Sequence, residues 1–355
     1  MTIAAIRRAT LELLAKIGLN GEFEMSPLPG GTNNRVYRVT VGECSYLVKA
    51  YFQHKHDLRD RLQAEFSFIG FGWECGLRCL PRPLACDSVN GLGLYEFVTG
   101  RVITAAEVTG TLVDQAVNFY RALNQNRHRP EAQQLPHASD SCFSLGEHLM
   151  SVERRMKRLR AIGIHSPLHQ QASQFISGEV ADAWDRVSRQ VRSRASELQI
   201  NEHEVVGQAD RLISPSDFGF HNALCTPEGR LCFLDFEYAG WDDPVKMICD
   251  FFNQPAVPVP VRFFEGFAKG VLADLADPGY HLDRANLLMP IHLLKWCCIL
   301  MNDFLPMDSE RRQYALGSAD PKERKANQIE KAQSLLRSAL EVSESMSLDS
   351  RVMGL

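Results

Sequence analysis

Long apolar runs are missing from this sequence of 355 residues. A helix that crosses a bilayer needs about 18 to 20 consecutive apolar residues, and charged or polar side chains interrupt every stretch of that length. The amino-terminal segment, MTIAAIRRATLELLAKIG, carries its charges at intervals that predict an amphipathic helix and not the apolar centre of a signal peptide. We therefore expect neither a membrane span nor secretion.

The sequence also lacks a charge surplus and any regular pairing of its cysteines. The 39 Lys and Arg residues nearly balance 43 Asp and Glu residues, whereas nucleic-acid-binding domains usually carry a basic excess. The 10 cysteines include no C-x-x-C pair, which argues against a zinc knuckle or a small disulfide framework. These absences predict a cytoplasmic protein without a nucleic-acid partner, and they leave its oligomeric state open.

Several common nucleotide and metal motifs are absent as well. There is no G-x4-G-K-[ST] phosphate loop and no H-E-x-x-H zinc motif. The pair Gly91 and Gly93 is followed by Glu96 where a dinucleotide fingerprint would place its third glycine. A P-loop enzyme, a Rossmann dehydrogenase and a zinc protease are therefore all disfavoured.

Strand-like segments concentrate in the first hundred residues. The β-branched and aromatic runs 35–41 and 45–52 flank Gly42-Glu43, which predicts an antiparallel hairpin. A helix is predicted over 57–72, and Asn90-Gly91 is a typical turn for a second hairpin. This part of the chain is predicted to form a small antiparallel sheet with one helix.

Helical periodicity dominates after residue 100. Helices are predicted over 104–126, 144–161 and 171–198, and again from Pro244 onward. Two short strand-like runs interrupt this pattern between residues 211 and 238. The sequence therefore predicts an α+β fold with a β-rich lobe over residues 1–100, a connector near 96–101 and a larger helical lobe over 101–355.

The segment 213–238, ISPSDFGFHNALCTPEGRLCFLDFEY, contains the most informative polar residues. Asp217 and Asn222 lie in a predicted loop, and Asp235 follows at the end of an apolar strand. Amide and carboxylate oxygens suit Mg²⁺, which is usually held by one or two side chains together with substrate phosphates. A separate carboxylate can orient and deprotonate a hydroxyl. This combination predicts a site for phosphoryl transfer.

On these residues the sequence resembles the aminoglycoside phosphotransferase and choline kinase superfamily, small-molecule kinases with a bilobal protein-kinase-like fold. The family pattern is H-x-D-x4-N followed by D-[FW]-[GE], and the continuation DFEYAGWDDPVKMICDFF is similar to it. The resemblance implies that Asp217 is the catalytic base and that Asn222 and Asp235 hold Mg²⁺. The chain departs from the pattern at Pro215, which replaces the loop's His, and it has no A-P-E activation segment, which disfavours a protein substrate.

The same resemblance assigns roles to upstream residues that occur in the expected order. It implies a nucleotide-covering turn, a phosphate-binding lysine, a glutamate that pairs with this lysine and a connector that binds adenine through its backbone. The corresponding residues are Gly30, Gly31, Thr32, Asn33 and Asn34 for the turn, Lys49, Glu65 with Glu74 as a weaker alternative, and Glu96 and Val98 for the connector.

The predicted function is ATP-dependent transfer of a phosphate to a hydroxyl of a small molecule. Aromatic and acidic residues of the second lobe are candidates for binding this acceptor, namely Trp241, Asp242, Asp243, Trp296 and Asp303. They would suit a cationic amino alcohol such as choline or an aminoglycoside, and equally a sugar. The alternative hypothesis is a pseudokinase, a nucleotide-binding module without catalysis, which the replacement at Pro215 favours.

Overall fold

The computed structural model describes residues 1–28, 33–54, 57, 59–316 and 321–352. The helices are α1 Ile3–Lys16, α2 Arg61–Glu74, α3 Gly110–Asn124, α4 Leu145–Leu159, α5 Pro167–Phe175, α6 Ala181–Glu197, α7 Pro244–Asn253, α8 Phe264–Leu272, α9 Pro278–Met301, α10 Pro306–Leu316 and α11 Pro321–Val352. The strands are β1 Glu24–Pro27, β2 Arg35–Val41, β3 Cys44–Ala50, β4 Pro83–Asp87, β5 Leu92–Glu96, β6 Arg101–Val102, β7 Leu212–Ser214, β8 Ala223–Cys225, β9 Leu231–Phe233 and β10 Gly240–Asp242. The predicted α+β class is confirmed.

An antiparallel sheet of five strands, in the order β1-β2-β3-β5-β4, organises the first part of the chain. Both predicted hairpins are present, since β2 pairs with β3 and β4 pairs with β5. In the register of the central strands, Lys49 lies between Val36 and Gly93. Strand β1 was not predicted, because its sequence EMSP has little β propensity and it forms only as an edge strand on β2.

Helix α1 covers one face of this sheet. Its apolar residues Ile6 and Leu13 are fully buried in a cluster with Val39, Val48 and Leu92 of the strands. The charged side chains of α1 are exposed, as the amphipathic pattern predicted, while the buried hydroxyl of Thr10 donates to the carbonyl of Ile6 at 2.8 Å. The helix therefore belongs to the folded core of this part of the protein.

Two predicted helix starts were wrong because capping residues decide where each helix begins. Helix α2 begins at Arg61 and not at Asp57, since the side chain of Asp60 accepts a hydrogen bond from the backbone of Gln63 at 2.9 Å. Helix α3 begins at Gly110 and not at Thr104, because Thr104 and Glu107 form a capping box on a separate short 3₁₀ turn.

The helix predicted over 171–198 is longer and less regular than expected. It begins at Pro167, where the side chain of Ser166 caps α5, and a π-helical turn over Ile176–Val180 joins α5 to α6. The π turn inserts one extra residue per hydrogen-bonded loop, which apolar periodicity alone does not reveal. The predicted buried stripe is nevertheless present, since Trp184, Val187 and Val191 are all buried.

The chain divides into two compact units. Unit 1 comprises residues 1–139, 213–241 and 310–318, and unit 2 comprises residues 140–212, 242–309 and 319–355. The five-stranded sheet and the segment with Asp217, Asn222 and Asp235 all belong to unit 1. The lobe boundary predicted near residue 100 stays a prediction, because compactness alone does not define the lobes of a fold.

One helix of unit 2 is long and apolar enough to cross a membrane by length and composition alone. It covers Pro278–Phe304, and 83% of its most apolar window is buried inside the protein. A helix packed in this way has the burial of a core helix.

A chain of hydrogen-bonded polar side chains is buried within unit 2. Arg284 forms an ion pair with Asp243 at 2.5 Å, and Nε2 of His148 lies 3.2 Å from Oδ2 of Asp243. Nδ1 of His148 lies 3.1 Å from Nε2 of His292, whose Nδ1 lies 3.1 Å from Oδ1 of Asp250. Each outer ring nitrogen faces a carboxylate and must carry a proton, and the bond between the rings needs one more. Three protons on two rings make one of them an imidazolium.

The imidazolium is His148. Burial by itself would lower its pKa, but Cys142 and the carboxylate of Asp243 raise the pKa of His148 to about 9. Burial and the ammonium group of Lys295 lower the pKa of His292 to about 3. A histidine with a raised pKa stabilises the fold below its unfolded pKa near 6.5 and loses this contribution as the pH rises towards 9. His292 acts oppositely and costs stability as the pH falls below about 6.5.

We expect His148→Gln to lower the melting temperature most at pH 6 and to lower it much less at pH 9. The protonated His148 contributes about 3 kcal/mol at the lower pH, from a pKa difference between unfolded and folded states of about 2.5, and this contribution is lost in the wild type as well at pH 9. Thermal unfolding of both proteins from pH 6 to pH 9 checks this. A deficit that is constant with pH would show that His148 is neutral in the folded protein.

Candidate active site

The loop that carries Asp217 is ordered by hydrogen bonds to α3 and by one hydrogen bond within the loop. The backbone of Ile213 donates to Oδ1 of Asn124 at 2.7 Å, and Nδ2 of Asn124 donates back to the carbonyl of Ile213 at 3.0 Å. Ser216 has a left-handed backbone with φ of 67°, and its N–H donates to Oγ of Ser214 at 3.0 Å. These bonds order the loop at the position where the family has a histidine and this chain has Pro215.

Asp217, His221 and Asn222 form one hydrogen-bonded group. Nδ2 of Asn222 donates to the backbone carbonyl of Asp217 at 2.9 Å, so its amide oxygen is the atom that can serve a metal ion. Nε2 of His221 lies 3.2 Å from Oδ1 of Asp217. Burial by itself would lower the pKa of His221, but the Asp217 carboxylate raises it above its usual value. The Asp217 side chain remains 30% exposed, so one carboxylate is both oriented and accessible.

His221 was missed by sequence reasoning, although a signal for it exists. The residues 220–222 form a 3₁₀ turn, which brings a side chain four positions after Asp217 back to its carboxylate. A histidine directly before Asn222 could therefore have been found by its spacing.

Asp235 lies just after β9 in a conformation that the neighbouring aromatic residue stabilises. Its φ is 64°, a left-handed value that is uncommon for residues other than glycine. The next residue, Phe236, is fully buried and stacks on Phe68 of α2 with 4.7 Å between ring centroids. Packing of Phe236 thus fixes the direction in which the Asp235 carboxylate points.

Lys49 connects the sheet, α2 and the segment after β9. Its ammonium group lies 2.6 Å from Oε2 of Glu65 and 2.5 Å from Oδ1 of Asp235. The side chain is only 7% exposed, and burial would by itself lower its pKa, but the carboxylates of Asp235, Glu65 and Glu237 raise the pKa of Lys49 well above its usual value. The lysine is therefore a permanent cation, and the pairing with Glu65 that the resemblance implies is present. Glu74, the weaker alternative, is exposed at the end of α2.

Two buried tyrosines extend this ion pair in a way that the sequence did not indicate. The hydroxyl of Tyr51 donates to Oε2 of Glu65 at 2.7 Å and lies 2.8 Å from the hydroxyl of Tyr95. Burial raises the pKa of both phenols well above the usual range, so both stay protonated. The Tyr95 ring folds back over Gly93 of its own strand, where an added Cβ would lie 2.6 Å from the ring.

We expect Gly93→Ala to displace Tyr95 and to lower the melting temperature by several degrees. Overpacking of this kind typically costs about 1 to 3 kcal/mol. Gly70→Ala in α2 is the matched control, since no atom lies within 4 Å of its added Cβ and alanine favours the helix. Thermal unfolding of the two variants checks the comparison, and an equal effect of both would contradict the steric role of Gly93.

The predicted nucleotide-covering turn lies partly outside the described residues, which do not include Gly30, Gly31 and Thr32. Asn33 and Asn34 are described, and both donate to the carboxylate of Glu237, at 2.8 Å and 2.7 Å.

The predicted connector follows β5. Glu96 is the last residue of that strand, and its N–H donates to the carbonyl of Arg82 at 2.8 Å, while Val98 lies in the irregular segment after the strand. Their roles in binding adenine stay predictions.

The candidate acceptor residues are engaged in hydrogen bonds inside their own units. In unit 1, Nε1 of Trp241 donates to the carbonyl of Ala132 at 2.9 Å. In unit 2, each candidate has a partner: Asp242 pairs with Lys246, Asp243 with Arg284, Trp296 with Asp250, and Asp303 with Arg324. All three carboxylates are completely buried. An acceptor bound by these groups would have to replace existing ion pairs, and the predicted role of these residues in binding it stays a prediction.

The side-chain oxygens of Asp235 and Asn222 suit a magnesium ion that also binds phosphate. Within the described part of the chain, no three His, Cys, Asp or Glu side chains are grouped to hold a metal by themselves. Mg²⁺ needs no such group, because it commonly binds one or two protein oxygens and completes its shell with phosphate and water. The 32% exposed carboxylate of Asp235 and the amide oxygen of Asn222 fit this requirement.

The sequence matches the phosphotransferase enzyme family over residues 24–284, and no curated protein matches it. Solved structures with the same fold include three kinases of low sequence identity. A choline kinase from Streptococcus pneumoniae is 15% identical with a TM-score of 0.57, covering 94% of this chain and 99% of that chain. An ethanolamine kinase from Plasmodium vivax is 13% identical with a TM-score of 0.59, covering 97% and 90%. A spectinomycin phosphotransferase in complex with ADP and spectinomycin is 14% identical with a TM-score of 0.58, covering 92% and 98%.

The family match spans more than half of the chain, and its fold is that of these kinases. The chain therefore belongs to the phosphotransferase enzyme family, and it has the protein-kinase-like fold of these kinases.

Proposed function

We propose that this protein transfers the γ-phosphate of ATP to a hydroxyl of a small molecule in the cytoplasm, with Asp217 as the catalytic base. The observation that carries the proposal is the convergence of Lys49, Glu65 and Asp235 on one buried ion-pair group, within the unit that also holds Asp217 and Asn222. A phosphoryl-transfer site needs a fixed cation for the phosphates and a separate oriented carboxylate for the hydroxyl.

Lys49 provides the fixed cation. Its ammonium group has three donors and a permanent charge. It donates to Oε2 of Glu65, and the hydroxyl of Tyr51 donates to the same oxygen. Asp235 and Asn222 would hold Mg²⁺, which neutralises charge on the phosphate oxygens when it is bound. Because Asp235 contacts Lys49 directly, the lysine also orients this carboxylate.

Asp217 would orient the acceptor hydroxyl and receive its proton. The acceptor oxygen forms a bond to the γ-phosphorus, the bond from phosphorus to the bridging oxygen breaks, and ADP leaves. His221 holds the Asp217 carboxylate by one oxygen, which leaves the other to accept the hydroxyl proton. With one oxygen bound to His221 and the other free for the proton, Asp217 can act as the base without a second residue.

The acceptor is proposed as a sugar, an amino alcohol such as choline, or an aminoglycoside. The solved structures with this fold are named as a choline kinase, an ethanolamine kinase and a spectinomycin phosphotransferase. All three of these acceptors carry hydroxyl groups. The second candidate function is a pseudokinase, which the proline at position 215 favours. The hydrogen bonds that order the loop on both sides of Pro215 favour catalysis.

A panel of acceptors with Mg-ATP tests the proposal. We expect ADP release to rise above the background hydrolysis with one acceptor class among sugars, amino alcohols and aminoglycosides, and ³¹P NMR to detect a phosphate monoester of that acceptor. Asp217→Ala is the control for contaminating kinases and should abolish the stimulated rate. Binding of Mg-ATP without stimulation by any acceptor would favour the pseudokinase.

A further inference from the structure

We propose that Glu237 is a positioning residue that anchors the base of the nucleotide-covering turn to the Asp235 segment, and is not a ligand of the metal ion. This inference rests on the proposed function, since it assigns a role in nucleotide binding. Glu237 follows Asp235 by two positions, so its carboxylate is by sequence an obvious candidate for a second metal ligand. Its surroundings assign it a different task.

Both oxygens of Glu237 are already bound to the chain. Nδ2 of Asn33 donates to Oε1 at 2.8 Å, and Nδ2 of Asn34 donates to Oε2 at 2.7 Å. Nε of Arg61 lies 3.6 Å from Oε2. The residue is 1% exposed, in contrast to the 32% exposure of the Asp235 side chain. Each oxygen of this carboxylate therefore accepts one hydrogen bond, and the nearby guanidinium balances its charge without a metal.

The partners of Glu237 are themselves fixed to the sheet and to α2. Oδ1 of Asn34 accepts from the backbone of Phe52 at 3.0 Å, just after β3. The guanidinium of Arg61 donates to the carbonyl of Phe52 at 2.9 Å and to Asp57 at 2.5 Å. Glu237, Asn33, Asn34 and Arg61, the Glu237 cluster, therefore tie three segments together.

The position of the asparagines gives this cluster its consequence for function. Asn33 and Asn34 are the last residues of the predicted nucleotide-covering turn and directly precede β2. A turn that covers phosphates through its backbone must be held in place, or its ordering would cost affinity when the nucleotide binds. The Glu237 cluster holds the end of the turn on the same segment that carries Asp235.

The hydrogen-bond chemistry allows a reciprocal exchange of donor and acceptor as the test. In Glu237→Gln, one oxygen becomes an NH₂ group that faces a donor, Nδ2 of Asn33 or of Asn34. In Asn33→Asp, two carboxylates face each other. The double variant Asn33→Asp/Glu237→Gln restores one donor and one acceptor at that contact and keeps the total charge of the pair at −1. Asn33 is the better partner for this exchange because Asn34 also binds the backbone of Phe52.

Calorimetric titration with ADP, once with Mg²⁺ and once with EDTA, distinguishes an anchor from a metal ligand. We expect E237Q to weaken ADP binding about tenfold under both conditions, because a charge-assisted hydrogen bond that orders the turn is lost, and the double variant to recover binding to within about threefold of the wild type. The exposed Glu22→Gln is the control for loss of one charge. A loss confined to Mg-ADP, or no recovery in the double variant, would overturn the proposal.

Hydrogen exchange of the free protein separates this inference from the proposed function. We expect amides of residues 33–36 to exchange faster in E237Q and to return to the wild-type rate in the double variant. Unchanged exchange in E237Q would refute the anchor even if the protein is a kinase. A wild type that binds no nucleotide would refute the proposed function, and a rescued exchange rate in that case would still establish the contact while removing its role in nucleotide binding.

Discussion

Asp217→Asn is expected to lower the stimulated turnover about a thousandfold and to leave the affinity for Mg-ADP unchanged. Loss of a general base typically costs 10² to 10⁴ in rate, so a value of about 10³ is the expected centre. Nucleotide binding should survive because Asn222 is bound to the backbone carbonyl of Asp217 and not to its side chain. Lys49 and Asp235 also make no hydrogen bond to Asp217 among the contacts of the described residues. The measurements are steady-state kinetics with the stimulating acceptor and calorimetric titration of Mg-ADP.

His221→Gln provides the matched comparison for this prediction. Glutamine can still donate one hydrogen bond to Oδ1 of Asp217, as Nε2 of the histidine does at 3.2 Å, but it cannot become a cation. We expect a loss of turnover that is clearly smaller than that of Asp217→Asn, since the carboxylate that accepts the proton is retained. A normal rate in Asp217→Asn would show that Asp217 is not the base, and a His221→Gln variant as slow as Asp217→Asn would show that the pair acts as one unit.

The parts of the fold that were predictable are those set by local pattern. The hairpin around Gly42-Glu43 and the turn at Asn90-Gly91 follow from alternation of apolar residues and from glycine with a positive φ. The stripe through Trp184 and Val191 follows from helical periodicity. The predicted starts of α2 and α3 were wrong. Side-chain caps at Asp60 and at Thr104 determine where the chain becomes helical, and apolar periodicity does not reveal such caps.

The same distinction between local sequence pattern and long-range contact applies to the candidate site. The spacing of Asp217, Asn222 and Asp235 within one short segment predicted them as site residues, and the structure places all three in unit 1, while their roles stay a prediction. Apart from His221, what was missed there are contacts between segments distant in sequence: Tyr51 and Tyr95 are 44 residues apart, and Asn34 and Glu237 are 203 residues apart. Their side chains are common in sheets and turns, so a single sequence contains no signal that pairs them. Burial and partner geometry supply that signal only in the folded chain.

The candidate acceptor residues show why composition alone leaves two interpretations open. Aromatic and acidic residues in the second lobe suggested a cation site, but Asp243 and Asp303 are completely buried and bound by Arg284 and Arg324. A carboxylate that balances an arginine inside a helical core has the same sequence appearance as one that binds a cationic ligand. The position of the arginine in the folded chain distinguishes a carboxylate of the first kind from one that binds a ligand.

Lys49→Met is expected to destabilise the protein by about 3 kcal/mol and to abolish detectable turnover. Removing one partner of a buried ion pair typically costs 3 to 5 kcal/mol, because the remaining charge stays buried without compensation. The carboxylate left behind is Glu65, which is 4% exposed. Burial already raises the pKa of Glu65, and the nearby Asp235 raises it further, while Lys49 opposes both effects. Without the lysine, the hydroxyl of Tyr51 is the one hydrogen-bond donor to Glu65 that remains among the described side chains.

The stability loss of Lys49→Met should therefore depend on pH. An acid whose pKa is raised in the folded state destabilises the fold above its unfolded pKa, near 4.5, and this cost grows with pH until the folded pKa is passed. We expect the difference in melting temperature between wild type and Lys49→Met to be larger at pH 8 than at pH 5. Thermal unfolding across this range provides the measurement.

The double variant Lys49→Met/Glu65→Gln separates stability from function. Glutamine keeps an oxygen that accepts from Tyr51 and removes the uncompensated charge, so most of the lost stability and its pH dependence should be recovered. Turnover and affinity for Mg-ATP should stay as low as in Lys49→Met, because the cation that binds the phosphates is still missing. Recovery of turnover together with stability would mean that Lys49 serves only to neutralise Glu65. Failure to recover stability would mean that Asp235, and not Glu65, is the carboxylate that depends on the lysine.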